Sequence, residues 1–287
     1  MVHRPPDFVC IGEQRCGTTW LYQALRRHPD VRLPPVKSIG FFTRQSDLPA
    51  VAHMLAGEAP GEARKMRRVL RTKIRSFDQL SWFARYYFDH RGDDWYRGLF
   101  AKAGDRLTGE FCHRYAQATP AQLAAMRSSF PDLKLVFLIR DPIDRAWSGL
   151  CRYLARTGRV IGTDWELSDF RSALTAASAI QKSKYASTIR ALRSEFPEEQ
   201  IQIGYLEELK DDAAQFLAGI SHWLGIPPLA EELLPPPTQS RTSSYSMPEA
   251  VEKWLAQELV TDISDACQLL GSPISAKWVE RAERLGV

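Results

Sequence analysis

The chain has 287 residues, enough for one large buried core, and 38 Lys plus Arg against 34 Asp plus Glu leave a formal charge of +4. That surplus is too small to mark a nucleic-acid binder and suits a small anionic ligand instead. The five cysteines are scattered with no C-x-x-C pair, which excludes a zinc-ligand spacing, and no apolar leader or membrane-length stretch appears, so the expectation is a cytoplasmic protein with free thiols, no metal and no membrane partner.

The first apolar run, FVCI, reads as a short buried strand and passes directly into GEQRCGTTW, residues 12 to 20. Beyond the loop, Trp20, Leu21, Ala24 and Leu25 recur at helical spacing. The loop is close to the triphosphate-binding pattern G-x-x-x-x-G-K-[ST], with Gly12 and Gly17 correctly separated and Thr19 in the hydroxyl position. Thr18, however, stands where the lysine belongs, and the loop's cation is Arg15. A glycine-rich turn feeding a helix can bind a phosphate through backbone N–H groups and the helix dipole without a metal. The competing reading is an ordinary strand-to-helix turn capped by hydroxyls.

Between residues 45 and 105 strand signals stop and a helical insertion is expected. Seven of the twelve residues from Arg64 to Arg75 are Lys or Arg, either a solvated helix face or an electropositive lip for an acidic acceptor. Trp82, Phe83, Tyr86, Tyr87 and Phe88 either line an aromatic pocket or pack the insertion's core.

Further strands are expected from RLTGEF at 106–111, LKLVFLIR at 133–140 and IQIGYL at 201–206, each followed by helical text. After Arg140, Asp141 can cap a helix whose first turn holds Pro142. Alternating strands and helices imply a mainly parallel sheet covered on both faces, with ligands bound beyond the carboxyl ends of its strands. Gly12 to Thr19, Glu110 to Tyr115 and Arg140 to Ser148 all lie at such ends and are expected to converge on one crevice. A Pro- and Ser-rich loop at 232–248 then leads into a last helix.

Arg140 at a strand end and Ser148 eight residues later can meet at a second phosphate, unless Arg140 merely pairs with Asp141 or Asp144. With the glycine loop, this describes a ligand carrying two separated phosphate groups. At this point the chain resembles the sulfotransferases that use 3'-phosphoadenosine 5'-phosphosulfate (PAPS), most closely the bacterial enzymes related to the Golgi heparan-sulfate sulfotransferases. IGEQRCGTTWLYQALRRHPDV looks like that family's 5'-phosphosulfate loop and FLIRDPIDRAWSGLCRYL like its 3'-phosphate segment. WYRGLF, GEFCHRY and SKYASTIRALRSEFPEEQI resemble the elements between and after them.

The resemblance implies a single three-layer α/β domain over 1–287, P-loop-like, with a mainly parallel central sheet and the insertion at 45–105 on the substrate side. It implies transfer of a sulfuryl group from PAPS, leaving PAP, to a hydroxyl on a small metabolite or sugar. Arg15, Cys16, Gly17, Thr18, Thr19, Trp20, Arg140, Ser148, Tyr185 and Arg241 correspond to its cofactor contacts, and Arg15 replaces the family's usual lysine at the leaving oxygen. The other readings are a P-loop kinase or NTPase, against which the missing lysine counts, and a PAPS- or PAP-binding protein without turnover.

One element departs from the family. Its K-E-x-H-F-F segment, which supplies a glutamate base, reads VKSIGFF here: Lys37, Phe41 and Phe42 match, while Ser38 and Gly40 replace Glu and His. His113 in GEFCHRY is the first candidate for a relocated base, because an imidazole titrates near neutrality. Glu110 is the second, although its position also suits an ion pair with Lys37 or Arg114.

Overall fold

All four apolar runs form strands of one parallel sheet: β1 (Phe8–Cys10), β2 (Gly109–Phe111), β3 (Lys134–Ile139) and β4 (Ile201–Tyr205), in the order β2-β1-β3-β4. The protein is seen here as a computed structural model that describes residues 4–43, 50–56, 66, 76–236 and 245–287. Phe8 is in register with Gly109 on one side and Lys134 on the other, and Leu135 with Ile201. Parallel neighbours cannot be joined by tight turns, so each connection crosses over a face of the sheet.

Among the described residues, the helices of ten residues or more are α1 (Thr18–Arg27), α2 (Phe77–Phe88), α3 (Pro120–Ser129), α4 (Pro142–Thr157), α5 (Leu167–Ala176), α6 (Ala186–Glu195), α7 (Ala213–Leu224), α8 (Glu249–Leu270) and α9 (Pro273–Arg284). The two-residue period of the strands divides their side chains between two cores. Phe8, Cys10, Phe111, Val136 and Leu138 pack with Trp20, Leu21 and Leu25 of α1 and Phe216, Leu217 and Ile220 of α7. Val9, Ile11, Leu135, Phe137 and Ile139 pack on the opposite face with residues of α2, α3, α4, α5, α6 and α8. The result is the expected three-layer α/β architecture.

Among the described residues the stretch between 45 and 105 holds helices and no strand: Ala50–Leu55, α2, Asp93–Gly98 and a 3-10 turn at Ala101–Ala103, joined by short non-helical links. Trp82, Phe83, Tyr86 and Tyr87 are buried in the larger core, with Trp82 stacked on Tyr86 at 5.2 Å, and Phe88 is exposed. Four rings of the aromatic run therefore pack into the larger core. Of the basic run at 64–75, only Met66 lies within the described residues.

The single last helix expected from the sequence is two. Gly271 takes a left-handed φ of 58° and ends α8, Ser272 Oγ accepts from Ile274 N, and Pro273 fills the first position of α9.

Candidate active site

The loop after β1 stays against β3 before it turns: Ile11 N donates to Val136 O at 2.9 Å and Glu13 N to Leu138 O at 3.2 Å. That closeness requires Gly12, since a Cβ there would stand 2.6 Å from Leu138 N. Arg15 and Gly17 then adopt positive φ values of 78° and 86°. Gly17 does so freely, whereas a non-glycine in this region stores strain that is typical of ligand-binding turns. α1 begins after Gly17 with no side-chain cap and no acidic residue in its first turn, so its positive end faces the loop.

Three other segments close on this loop. Arg15 Nε donates to Ser148 Oγ of α4 at 2.8 Å. Arg140 Nη1 donates to Arg15 O at 3.5 Å, and Arg140 Nη2 pairs with Asp144 Oδ2 at 2.9 Å. Burial, with Arg152 and Arg140 nearby, draws the Arg15 guanidinium below its ordinary value. Cations of one sign crowded together in this way favour an anionic ligand.

Lys37 reaches the start of α1, where Nζ donates to Thr18 O and Thr19 Oγ1, each at 3.2 Å. It lies over the rings of Tyr22 and Phe111, 5.4 and 5.6 Å from their centroids. Burial pulls its ammonium down to about 8. It makes no ion pair with Glu110.

From the β2 side, His113 Nε2 lies 2.6 Å from Gln14 Nε2 and Nδ1 lies 3.5 Å from Ser38 Oγ. With the amide nitrogen of Gln14 as donor, Nε2 carries the lone pair and the Nδ1 hydrogen faces Ser38. Burial first, then Arg114, Lys182, Lys37 and Arg152, lowers the imidazole to about 4, which leaves it neutral at pH 7. Ser38 and Gly40 both have left-handed backbones, at φ 62° and 69°, and the Arg114 guanidinium occupies the space that a side chain at residue 40 would need.

Glu110 is 1% exposed. Its Oε1 accepts from Gly40 N at 2.5 Å and its Oε2 from the hydroxyls of Tyr96 and Tyr115 at 2.7 and 3.0 Å. Such a carboxylate organises the segment that replaces K-E-x-H-F-F. Glu13, buried in the loop, faces Arg145 Nη2 at 3.7 Å and accepts from Gln117 Nε2 at 3.2 Å, and burial pushes its carboxyl up.

Several cofactor candidates turn out to support the loop from behind. Cys16 is buried with its thiol pushed up to about 12, and its Sγ sits 3.9 Å from the Tyr185 hydroxyl. Tyr185 is fully buried against Phe137 and Trp278. The Trp20 ring is buried beneath α1 and its Nε1 donates to Pro235 O at 3.1 Å, so only its backbone belongs to the loop surface. Thr18 and Thr19 remain accessible beside Gly17. Arg241 lies outside the described residues.

The sulfotransferase family model matches residues 6–231. The chain belongs to the sulfotransferase family. Among similar proteins, this sulfotransferase-family chain is 27% identical over 229 residues to heparan sulfate glucosamine 3-O-sulfotransferase 3A1 of Mus musculus, covering 77% of the chain and 46% of that relative. It is 22% identical over 299 residues to carbohydrate sulfotransferase 15 of Rattus norvegicus, covering 85% and 48%. The chain spans about half the length of these curated relatives. Among solved structures, a sulfotransferase from Alicyclobacillus acidocaldarius superposes with a TM-score of 0.66 at 23% identity, over 95% of this chain and 98% of that one. Mouse sulfotransferase SULT7A1, solved in complex with PAP, superposes with a TM-score of 0.52 at 13% identity, over 96% and 89%. The family and the fold expected from the sequence are thus both found.

The sulfotransferase motifs do not disclose Gln14 beside His113, the Ser38 contact or the buried Glu13–Arg145 pair. The residues involved are single polar side chains 70 or more positions from their partners or embedded in apolar text, without a periodic pattern to mark them.

Proposed function

We propose that the chain is a PAPS-dependent sulfotransferase that moves a sulfuryl group in line to a hydroxyl on a small metabolite or sugar. The observation that carries this reading is the meeting of Arg15 with Ser148, which joins a lysine-less phosphate loop to a second anion-binding segment containing Arg140. The residues present fit the donor: Gly12 and Gly17 permit close backbone approach, and the uncapped start of α1 offers its N–H groups. PAPS supplies the sulfuryl group and leaves as PAP.

In this reading the N–H groups of Gly17, Thr18 and Thr19 hold the 5' end, with Lys37 beside them. Arg15 stabilises the charge that develops on the bridging oxygen. Arg140 and Ser148 hold the 3'-phosphate. Neutral His113 takes the acceptor proton on Nε2 when the acceptor hydroxyl displaces the Gln14 amide from that lone pair, while Nδ1–H stays directed at Ser38. Glu110 fixes the Ser38–Gly40 backbone through Gly40 N and shapes the acceptor side. Carbohydrate acceptors are supported by the names of the heparan sulfate and carbohydrate sulfotransferase relatives. The whole chain is taken as one domain with its insertion on the substrate side. A cytoplasmic location is supported by five free cysteines, and among the described residues no helix is long and apolar enough to cross a membrane.

Calorimetric titration with PAP and with ATP, followed by a PAP-release assay on hydroxyl acceptors, tests the proposal. PAP should bind at least about tenfold more tightly than ATP, the equivalent of one decade per 1.4 kcal/mol. Preference for ATP would favour a P-loop kinase, and PAP binding without turnover on any acceptor would favour a non-catalytic binder.

A further inference from the structure

Arg281 stands on α9, beyond the 6–231 stretch that the family model matches. Its Nη1 lies 2.8 Å from Asp141 Oδ2 and 3.0 Å from Asp144 Oδ1. On its other side, Nη2 and Nε donate to Glu252 Oε1 at 2.6 and 2.9 Å. The second oxygen of Asp144 holds Arg140 Nη2 at 2.9 Å. Asp144 is therefore shared by two guanidiniums, one on each carboxylate oxygen. Asp141 meanwhile uses Oδ1 to cap α4, accepting from Asp144 N at 3.0 Å.

Arg281 of α9 reduces the excess of carboxylates around Arg140. Without it, Asp141, Asp144 and Glu252 would face one cation in place of two. The side chains of Arg140, Asp144 and Arg281 are 13%, 37% and 20% exposed, so solvent screens this cluster only in part. Burial works to raise the Asp144 carboxyl, but Arg140 and Arg281 outweigh it and hold it below the ordinary range. α9 itself is docked independently of the cluster by Trp278, which is 2% exposed against Tyr185 and Tyr205.

We propose that Arg281 is a positioning residue for selectivity toward a 3'-phosphate: by occupying Asp144 Oδ1 and Asp141 it leaves Arg140 both fixed and electrostatically available. The inference rests on the assignment of Arg140 to the 3'-phosphate. Arg281 does not touch the nucleotide and acts only through Asp144. A purely structural role would instead lower stability and affect all nucleotides alike.

The test is the ratio of affinities for PAP and for adenosine 5'-phosphate, which lacks the 3'-phosphate, measured by calorimetry with melting temperature recorded alongside. Arg281→Met should weaken PAP about tenfold and adenosine 5'-phosphate by less than about twofold, the order expected for coupling between neighbouring charged groups. Arg281→Gln gives the same reading should the methionine variant not fold. Arg281→Lys should keep most of the preference, and adding Asp144→Asn to Arg281→Met should recover most of it by removing the competing carboxylate. Glu252→Gln, which loosens the α8–α9 tie and removes one carboxylate from Arg281, should lower the melting temperature and keep the ratio at or above the wild-type value, because Arg281 remains on Asp141 and Asp144. An unaltered ratio in the Arg281 variants would overturn the inference. If Arg140→Ala alone abolished the preference, only the role of Arg281 would fall; if neither variant changed it, the 3'-phosphate assignment would fall with it.

Discussion

Arg15 Nε donates to Ser148 Oγ at 2.8 Å, joining the loop after β1 to the second turn of α4 across 133 residues of chain. This contact explains how a loop without the usual lysine retains a fixed cation. The guanidinium is wide enough to reach Ser148 with Nε while its remaining N–H groups face elsewhere. The left-handed φ of 78° at Arg15 sets the direction from which it does so.

Arg15→Lys should therefore keep PAP binding within about threefold and retain or raise turnover, because an ammonium is the family's usual charge at this place. Arg15→Ala should cost roughly two to three decades in kcat, the order seen when a transition-state donor is removed. Both are read in a PAPS turnover assay. Inactivity of the lysine variant with normal PAP binding would show that the site is built around the guanidinium.

In the proposed nucleotide site, Lys37 carries a pH dependence of its own. Because burial lowers its ammonium to about 8, the cation beside Thr19 is present at pH 7 and lost as pH rises past that value. PAP affinity should be flat below about pH 7 and weaken above about 8, with proton uptake on binding in the alkaline range. The stability sign is opposite: the unfolded chain binds this proton more readily, so the group's destabilising effect is full below about 8 and fades toward the ordinary lysine value. Lys37→Arg should keep affinity at pH 9 and Lys37→Met should remove the alkaline limb. A limb that persists in Lys37→Met would assign it to another group.

β1 and β3 are legible in the sequence because they are apolar runs buried on both faces, whereas β2, which is GEF, and β4, with Gln202 and Ile203 half-buried, are marked by their place between helical stretches. The convergence of three strand ends was legible for the same topological reason. Motif position assigns Trp20 to the cofactor, yet its helical phase with Leu21, Ala24 and Leu25 places its ring on the core face of α1. The division of the C-terminal text into α8 and α9 was also available in Gly271, Ser272 and Pro273. What pattern could not provide is long-range polar pairing. Gln14 meets His113 and Arg281 meets Asp144 only after the sheet and helices have formed, and neither pair has a spacing that marks it.

Gly12 tests whether the loop's approach to β3 is needed. A Cβ would fall 2.6 Å from Leu138 N and 2.7 Å from Leu138 Cβ, in the middle of a strand that cannot yield as a flexible side chain would. Gly12→Ala should destabilise the protein by about 1–3 kcal/mol, the usual effect of overpacking, measured by denaturant unfolding. PAP affinity should fall as well, because the Glu13 N to Leu138 O bond that sets the loop would be displaced. Wild-type stability and affinity in this variant would refute the close-approach argument.

The catalytic assignment of His113 makes the most exacting prediction. The imidazole is already neutral at pH 7, since burial, followed by Arg114, Lys182, Lys37 and Arg152, lowers it to about 4. The acid limb of kcat/KM should thus lie near pH 4, well below the ordinary histidine range, with a plateau above it. Stability should also decline as pH falls from the unfolded histidine value near 6.5 toward 4, because the unfolded chain takes a proton that the native site refuses. His113→Ala should bind PAP normally and lose roughly two to four decades in kcat. Gln14→Leu should reduce kcat less, by freeing the ring, and Ser38→Glu should partly rescue His113→Ala by restoring a carboxylate beside the same space. Glu110→Gln should instead show itself mainly in stability, since that carboxylate accepts from Gly40 N, Tyr96 and Tyr115. Normal turnover of His113→Ala on the true acceptor would transfer the proton to Glu110 or to an acceptor acidic enough to need no base.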